Sequence, residues 1–223
     1  MLANLKHNLT SSVTIIGLIC FIICVFFTKQ TPLYLMLTVA QILLVPIMLM
    51  QIVKWNPLYS VITVAGMISV TLLLITPVGG WHIALAVIYL IYTLFFALIG
   101  FERFLQRGFT NWAEIAIDVG LMYLFVGGLW FFTHVTGIDT GFSPLITWLT
   151  GIHFHYSAFL FSTSVGFFGR LHDSKLYRII VPIILAGPML VALGSISFLV
   201  FLKHSYYPLL AHLFESHSIG NDL

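Results

Sequence analysis

The feature that most constrains this chain is a succession of apolar stretches, each about twenty residues long, separated by short polar joints. A helix needs roughly 20 apolar residues to cross the hydrocarbon of a bilayer. Lipid offers the backbone no partner, so every N–H and C=O must be satisfied within the segment. Seven such stretches can be read along the chain, over 10–28, 32–53, 59–76, 81–101, 112–133, 144–168 and 178–202. Only 7% of the 223 residues are charged, too few to cover a water-facing surface, so a soluble globular fold is excluded. The expected architecture is an all-α integral membrane protein, one polytopic domain over 1–223 containing a bundle of about seven transmembrane helices. Residues 205–216 read as a short amphipathic helix lying in the interface.

Orientation follows from the basic residues. With the N-terminus inside, the inner side holds Lys6, Lys54, Arg103, Arg107, Arg170, Lys175 and Arg178, and the outer side only Lys29 and Lys203. The inside excess predicts a cytoplasmic N-terminus and an external C-terminus. All five tryptophans fall near proposed span ends, where amphipathic rings belong. Lys6 and His7 ahead of the apolar run imitate a signal peptide. The following Phe27-Thr28-Lys29-Gln30 has no small-x-small cleavage site, so an uncleaved first span is expected. Cys20 and Cys24 share a helix face but cannot bridge within a regular helix, and read as buried small residues. A net charge of +2 with no basic run points away from nucleic acid and leaves the lipid bilayer as the expected partner.

Polar residues inside the spans need a reason, because each ionisable group near a helix centre costs about 2.5–3.5 kcal/mol on insertion scales. Glu114 and Asp118 are four apart and share one helix face. Asp118 lies roughly 9 Å in from Trp112 at 1.5 Å per residue. Two readings compete. In one, the acids pair with Arg103, Arg107 or Arg170 at the inner surface. In the other, they handle protons or face a substrate.

The sixth stretch carries His153-Phe154-His155-Tyr156. His153 and His155 sit roughly 13 and 16 Å from Pro144, near the middle of a core about 30 Å thick. Residues two apart point to opposite sides of a regular helix, so one metal cannot take both unless the helix is broken. His82 and His134 sit at the outer ends of their spans. With His153 and His155 they form a candidate ligand set for zinc, copper or iron. His7, His172, His204, His212 and His217 read as solvated or interfacial.

The segment HFHYSAF, residues 153–159, resembles the motif of the YndJ-like family of bacterial integral membrane proteins. The resemblance implies a multi-span protein of the bacterial cytoplasmic membrane and supplies no catalytic residues. The same segment is similar to the HFHY stretch of cytochrome oxidase subunit I, which would make His153 and His155 axial haem ligands. That likeness covers about one helix, and the chain has neither an adjacent His-His pair nor a His-Pro-Glu-Val-Tyr stretch.

Three functions are expected to compete. The first is a membrane-embedded enzyme acting on a lipophilic substrate, of the lipid or isoprenoid kind. Here Glu114 or Asp118 serves as the acid, and His153, His155 and Tyr156 position the substrate. The second is a metal or haem binder using His153, His155, His82 and His134. The third is a small proton-coupled carrier or a non-catalytic membrane subunit, with kinks at Pro46 and over 182–188.

Overall fold

A computed structural model describes residues 2–27, 32–194 and 197. The described secondary structure is helical throughout, with no strand among these residues. Seven helices follow one another: α1 Leu2–Phe27, α2 Pro32–Ile52, α3 Pro57–Ile75, α4 Trp81–Arg107, α5 Trp112–Thr136, α6 over 144–171 and α7 Lys175–Gly194. All but α6 are long and apolar enough to cross a membrane. The chain divides into two units, 1–185 and 186–223, and the site below lies wholly in the first. Lys29, Lys203 and the interfacial helix expected over 205–216 lie outside the described residues.

The helix starts are written locally. Asn56, Asn111 and Ser143 each occupy an N-cap, their side-chain oxygens accepting from backbone N–H groups two or three residues on. Proline follows directly at Pro57 and Pro144, where its missing N–H costs nothing.

Two local expectations are revised, and Pro46 gains a local setting. Residues 102–107 read as a charged connection, but α4 continues through them to Arg107 before a tight 3-10 turn over Gly108–Thr110. The extra turns carry Arg103 and Arg107 back over α5, where their partners lie. Pro46 read as a kink, and a π turn over Ala40–Leu44 stands just ahead of it. Pro46 cannot donate to the Ile42 carbonyl, and the wider turn relieves the ring's clash there. The tryptophans do not all sit at the lipid surface: Trp55 and Trp148 are 6% and 3% exposed. Each spends its indole N–H inside the protein, Trp55 on Ser60 Oγ at 2.8 Å and Trp148 on the Leu33 carbonyl at 3.3 Å.

Lipid tails are as apolar as leucine, so these helices gain by close packing and internal hydrogen bonds rather than by escaping water. Helix α5 is the hub. Its most apolar stretch is 56% buried, against 22% for α1. Tyr89, Tyr92 and Phe96 of α4 and Leu121 and Leu124 of α5 are shut in completely or nearly so. Gly17 lets α1 approach the π turn of α2, where an added Cβ would stand 2.8 Å from the Ile42 carbonyl oxygen.

Candidate functional site

The polar side chains that the sequence singles out gather at three levels of the bundle. At the level where α4 ends and α5 begins, five side chains form one ion cluster. Arg103 donates through Nε to Asp118 Oδ1 at 2.6 Å, through NH2 to Glu114 Oε2 at 3.0 Å, and through NH1 to the Ile52 carbonyl at 3.1 Å. Arg107 reaches Glu114 at 2.5 Å and lies 3.6 Å from Asp118 Oδ2. Arg170 of α6 grips Glu114 in a fork, at 2.6 and 3.0 Å. The Asp118 side chain is 1% exposed and that of Glu114 17%. Three guanidinium groups against two carboxylates leave the cluster one positive charge in excess. Planar forks suit carboxylates, and bidentate pairs are the strongest of the charge-assisted bonds. The acids and arginines therefore lie together in one network, the acids on the most enclosed helix, α5, and the arginines on α4 and α6.

The second level is mid-bundle. His155 lies within a second π turn, Phe154–Leu160, and is fully buried. Its Nδ1 lies 2.7 Å from the Gly151 carbonyl, an oxygen that only accepts, so Nδ1 carries the proton. Its Nε2 then accepts from the Tyr89 hydroxyl at 2.8 Å. The imidazole fits because residue 127 is glycine. A Cβ there would stand 2.7 Å from Nδ1. Gln41, in the π turn of α2, brings its carboxamide beside the Tyr89 hydroxyl without reaching bonding geometry, and both its polar atoms are buried and unpartnered. π turns cluster at functional sites, and each of the two here buries one polar side chain.

His153, one residue before that turn, is half-buried and packs edge-on against Phe154 at 5.3 Å. Tyr156 donates its hydroxyl to the Met36 carbonyl at 2.8 Å, tying α6 to α2. His153 and His155 are thus engaged differently, and the Glu114–Asp118 cluster stands apart from them. Both nitrogens of His155 are taken by the protein, so the axial-ligand role implied by the oxidase likeness does not fit this donor set. Among the described residues no three His, Cys, Asp or Glu side chains gather as metal ligands.

The third level is the opposite end of the bundle from the ion cluster. His82 opens α4, stacked on Trp81 at 4.4 Å, and His134 closes α5, against Trp148 at 4.8 Å. At 1.5 Å per residue, His82 lies about 32 Å along α4 from Arg103. His82 and His134 line one cavity.

Sequence reasoning passed over Gln41 and Tyr89. Gln41 was a legible signal, an amide in the apolar run Val39-Ala40-Gln41-Ile42-Leu43. Tyr89 was not, because a tyrosine between aliphatic residues is ordinary in a span and its partner is 66 residues away.

The fold and its enclosed polar groups define a polytopic α-helical membrane protein. More particularly, the chain belongs to the YndJ-like family, whose model, described as "YndJ-like protein", matches residues 35–201. It is similar to the "Uncharacterized membrane protein YndJ" of Bacillus subtilis (strain 168). The two are 40% identical over 124 residues, covering 54% of this chain and 22% of that protein. The chain thus matches about a fifth of that relative's length. No solved structure matches it.

Proposed function

We propose that this chain acts as a non-catalytic membrane-spanning subunit or module, one helical unit within a larger membrane protein or assembly of the bacterial cytoplasmic membrane. The observation that carries this reading is the engagement of the candidate acid–base groups by protein partners. Glu114 receives hydrogen bonds from three arginines. Asp118 receives one from Arg103, and Tyr156 gives its proton to a backbone carbonyl. Carboxylates gripped in charge-assisted hydrogen bonds are committed to their arginines rather than presented to a substrate. Arg103, Glu114, Asp118 and Arg170 then fasten α4, α5 and α6 together, and mid-bundle Tyr156 ties α6 to α2 and His155 ties α6 to α4. The 22% coverage of the Bacillus relative is in keeping with a module of something larger.

The experiment is a panel of Glu114→Gln, Asp118→Asn, His155→Gln and Tyr156→Phe in a strain lacking the protein. Two quantities are scored side by side: rescue of the deletion phenotype, and the amount and melting temperature of the membrane-extracted protein. On the structural reading, rescue falls only as folded protein falls. A variant with wild-type amount and melting temperature but no rescue would establish a chemical role and sink the proposal.

A further inference from the structure

The histidine end of the bundle holds hydrogen-bonding capacity that the fold leaves unspent. A cavity of about 250 Å³ opens there, lined among others by Tyr34, Leu73, His82, Phe131, His134 and Trp148. His82 is 6% exposed. Its Nδ1 lies 2.7 Å from the Gly79 N–H and 3.1 Å from the Gly79 carbonyl oxygen. The closer N–H aims its hydrogen at Nδ1, which leaves no room for a second hydrogen there, so Nδ1 accepts. A neutral imidazole accepting at Nδ1 carries its hydrogen on Nε2. That Nε2 is buried and has no hydrogen-bond partner. An unmet buried donor is one of the rarer features of a folded protein and asks for a missing acceptor.

His134 has the opposite polarity. Its Nδ1 lies 3.1 Å from the Pro144 carbonyl, which only accepts, so Nδ1 donates and Nε2 keeps its lone pair. Of the two histidines lining the cavity, one therefore carries a spare donor and the other a spare acceptor. The remaining walls are flat and apolar: Tyr34 and Trp148 rings stand 4.5 Å apart, and Phe131 and Trp148 6.1 Å.

Size and chemistry narrow the occupant. A cavity of about 150 Å³ admits benzene, whereas drug-sized ligands take roughly 300–1,000 Å³. The space thus suits one substituted ring and excludes a haem. A metal ion is a poorer match, because His82 presents a hydrogen rather than a lone pair, and structural or catalytic zinc takes three or four protein ligands. A phenolic hydroxyl both accepts one hydrogen bond and donates one. We propose that this cavity binds the single ring of a phenol or quinol, its hydroxyl chemistry met by His82 Nε2–H and His134 Nε2 and its face by Tyr34 and Trp148. The inference is independent of the structural role given to the acids, which lie at the other end of α4 and α5.

The test uses the full chain in lipid nanodiscs and follows tryptophan fluorescence during titration. The probes are 1,4-hydroquinone, a decyl-tailed benzoquinol, and 1,4-dimethoxybenzene, a similar ring with no hydroxyl proton. Saturable hydroquinone binding is expected. It should weaken at least ten-fold for dimethoxybenzene, and at least ten-fold in His134→Leu and in His82→Phe. If the tailed quinol gains more affinity than its partition into lipid explains, the source is a membrane quinol. If it does not, the source is a free phenol. Both outcomes support the site. Equal binding of hydroquinone and dimethoxybenzene would overturn it, since the histidines would then read nothing, and that comparison needs no variant to fold. Absence of saturable binding, or tight Zn²⁺ binding that depends on His82 and His134 and excludes hydroquinone, would overturn it as well.

Discussion

The two ends of α4 and α5 hold their polar groups in opposite ways. At one end, three arginines and two carboxylates satisfy one another so fully that Arg103 spends each of its three nitrogens, two on acids and one on a carbonyl. At the other, His82 and His134 each bond the backbone through Nδ1 and leave Nε2 over. The difference separates groups that hold the bundle from groups able to meet something else. Burial alone does not make that distinction, because Asp118 at 1% and His82 at 6% are both enclosed.

The comparison breaks most readily at the ion cluster. Arg103→Met removes the nearest partner of the buried Asp118 and leaves it only Arg107, at 3.6 Å, and breaking a buried pair by removing one partner costs about 3–5 kcal/mol. A large drop in melting temperature in detergent is expected, and a shift too small to resolve would mean that the cluster is not what holds this end. Gly127→Ala should be next. The new methyl meets the His155 imidazole, and overpacking costs about 1–3 kcal/mol, read as a lower melting temperature and loss of the Tyr89–His155 bond in the imidazole NMR spectrum. Tyr89→Phe leaves His155 Nε2 without its donor, with a cost of about 1–3 kcal/mol. A Tyr89→Phe, His155→Leu double variant should then lose less than the sum of the two single changes, and full additivity would show that the bond carries no coupling.

The histidine end should respond least. His134→Leu forfeits one hydrogen bond to a carbonyl, about 1 kcal/mol. A loss as large as that of Arg103→Met would erase the contrast between the two ends. Smallest of all is the exposed Asp173–Arg178 pair in the α6–α7 joint. The hydrogen bond from Arg178 holds the Asp173 carboxyl below the ordinary carboxylate range. Any support it gives is present above that range and fades as the pH falls through its lowered value. Asp173→Asn should leave the melting temperature unchanged at neutral pH, since exposed pairs add little.

Much of this was legible in order along the chain. Asn56-Pro57 and Ser143-Pro144 announce helix starts by local chemistry alone. The pairing of Glu114 and Asp118 with Arg103, Arg107 and Arg170 was one of two readings that spacing and cost already allowed. The extension of α4 past Phe101 was not legible, because Glu102-Arg103-Phe104-Leu105-Gln106-Arg107 reads as a solvated loop until its arginines find acids on the next helix. The burial of Trp55 and Trp148 was hidden for the same reason: a tryptophan at a span end suits either lipid headgroups or a neighbouring helix, and only the neighbour decides.

The amino-acid order by itself determined that the chain spans a bilayer as helices, since a near-absence of charge over twenty-residue stretches leaves the backbone no other way to satisfy itself in lipid. Which polar groups are spent and which are spare was decided only in three dimensions. Arg103 meets Asp118 fifteen residues on, Tyr89 meets His155 sixty-six residues on, and His82 meets no partner at Nε2. A hydrogen bond depends on distance and direction between side chains of different helices, and no local pattern records either.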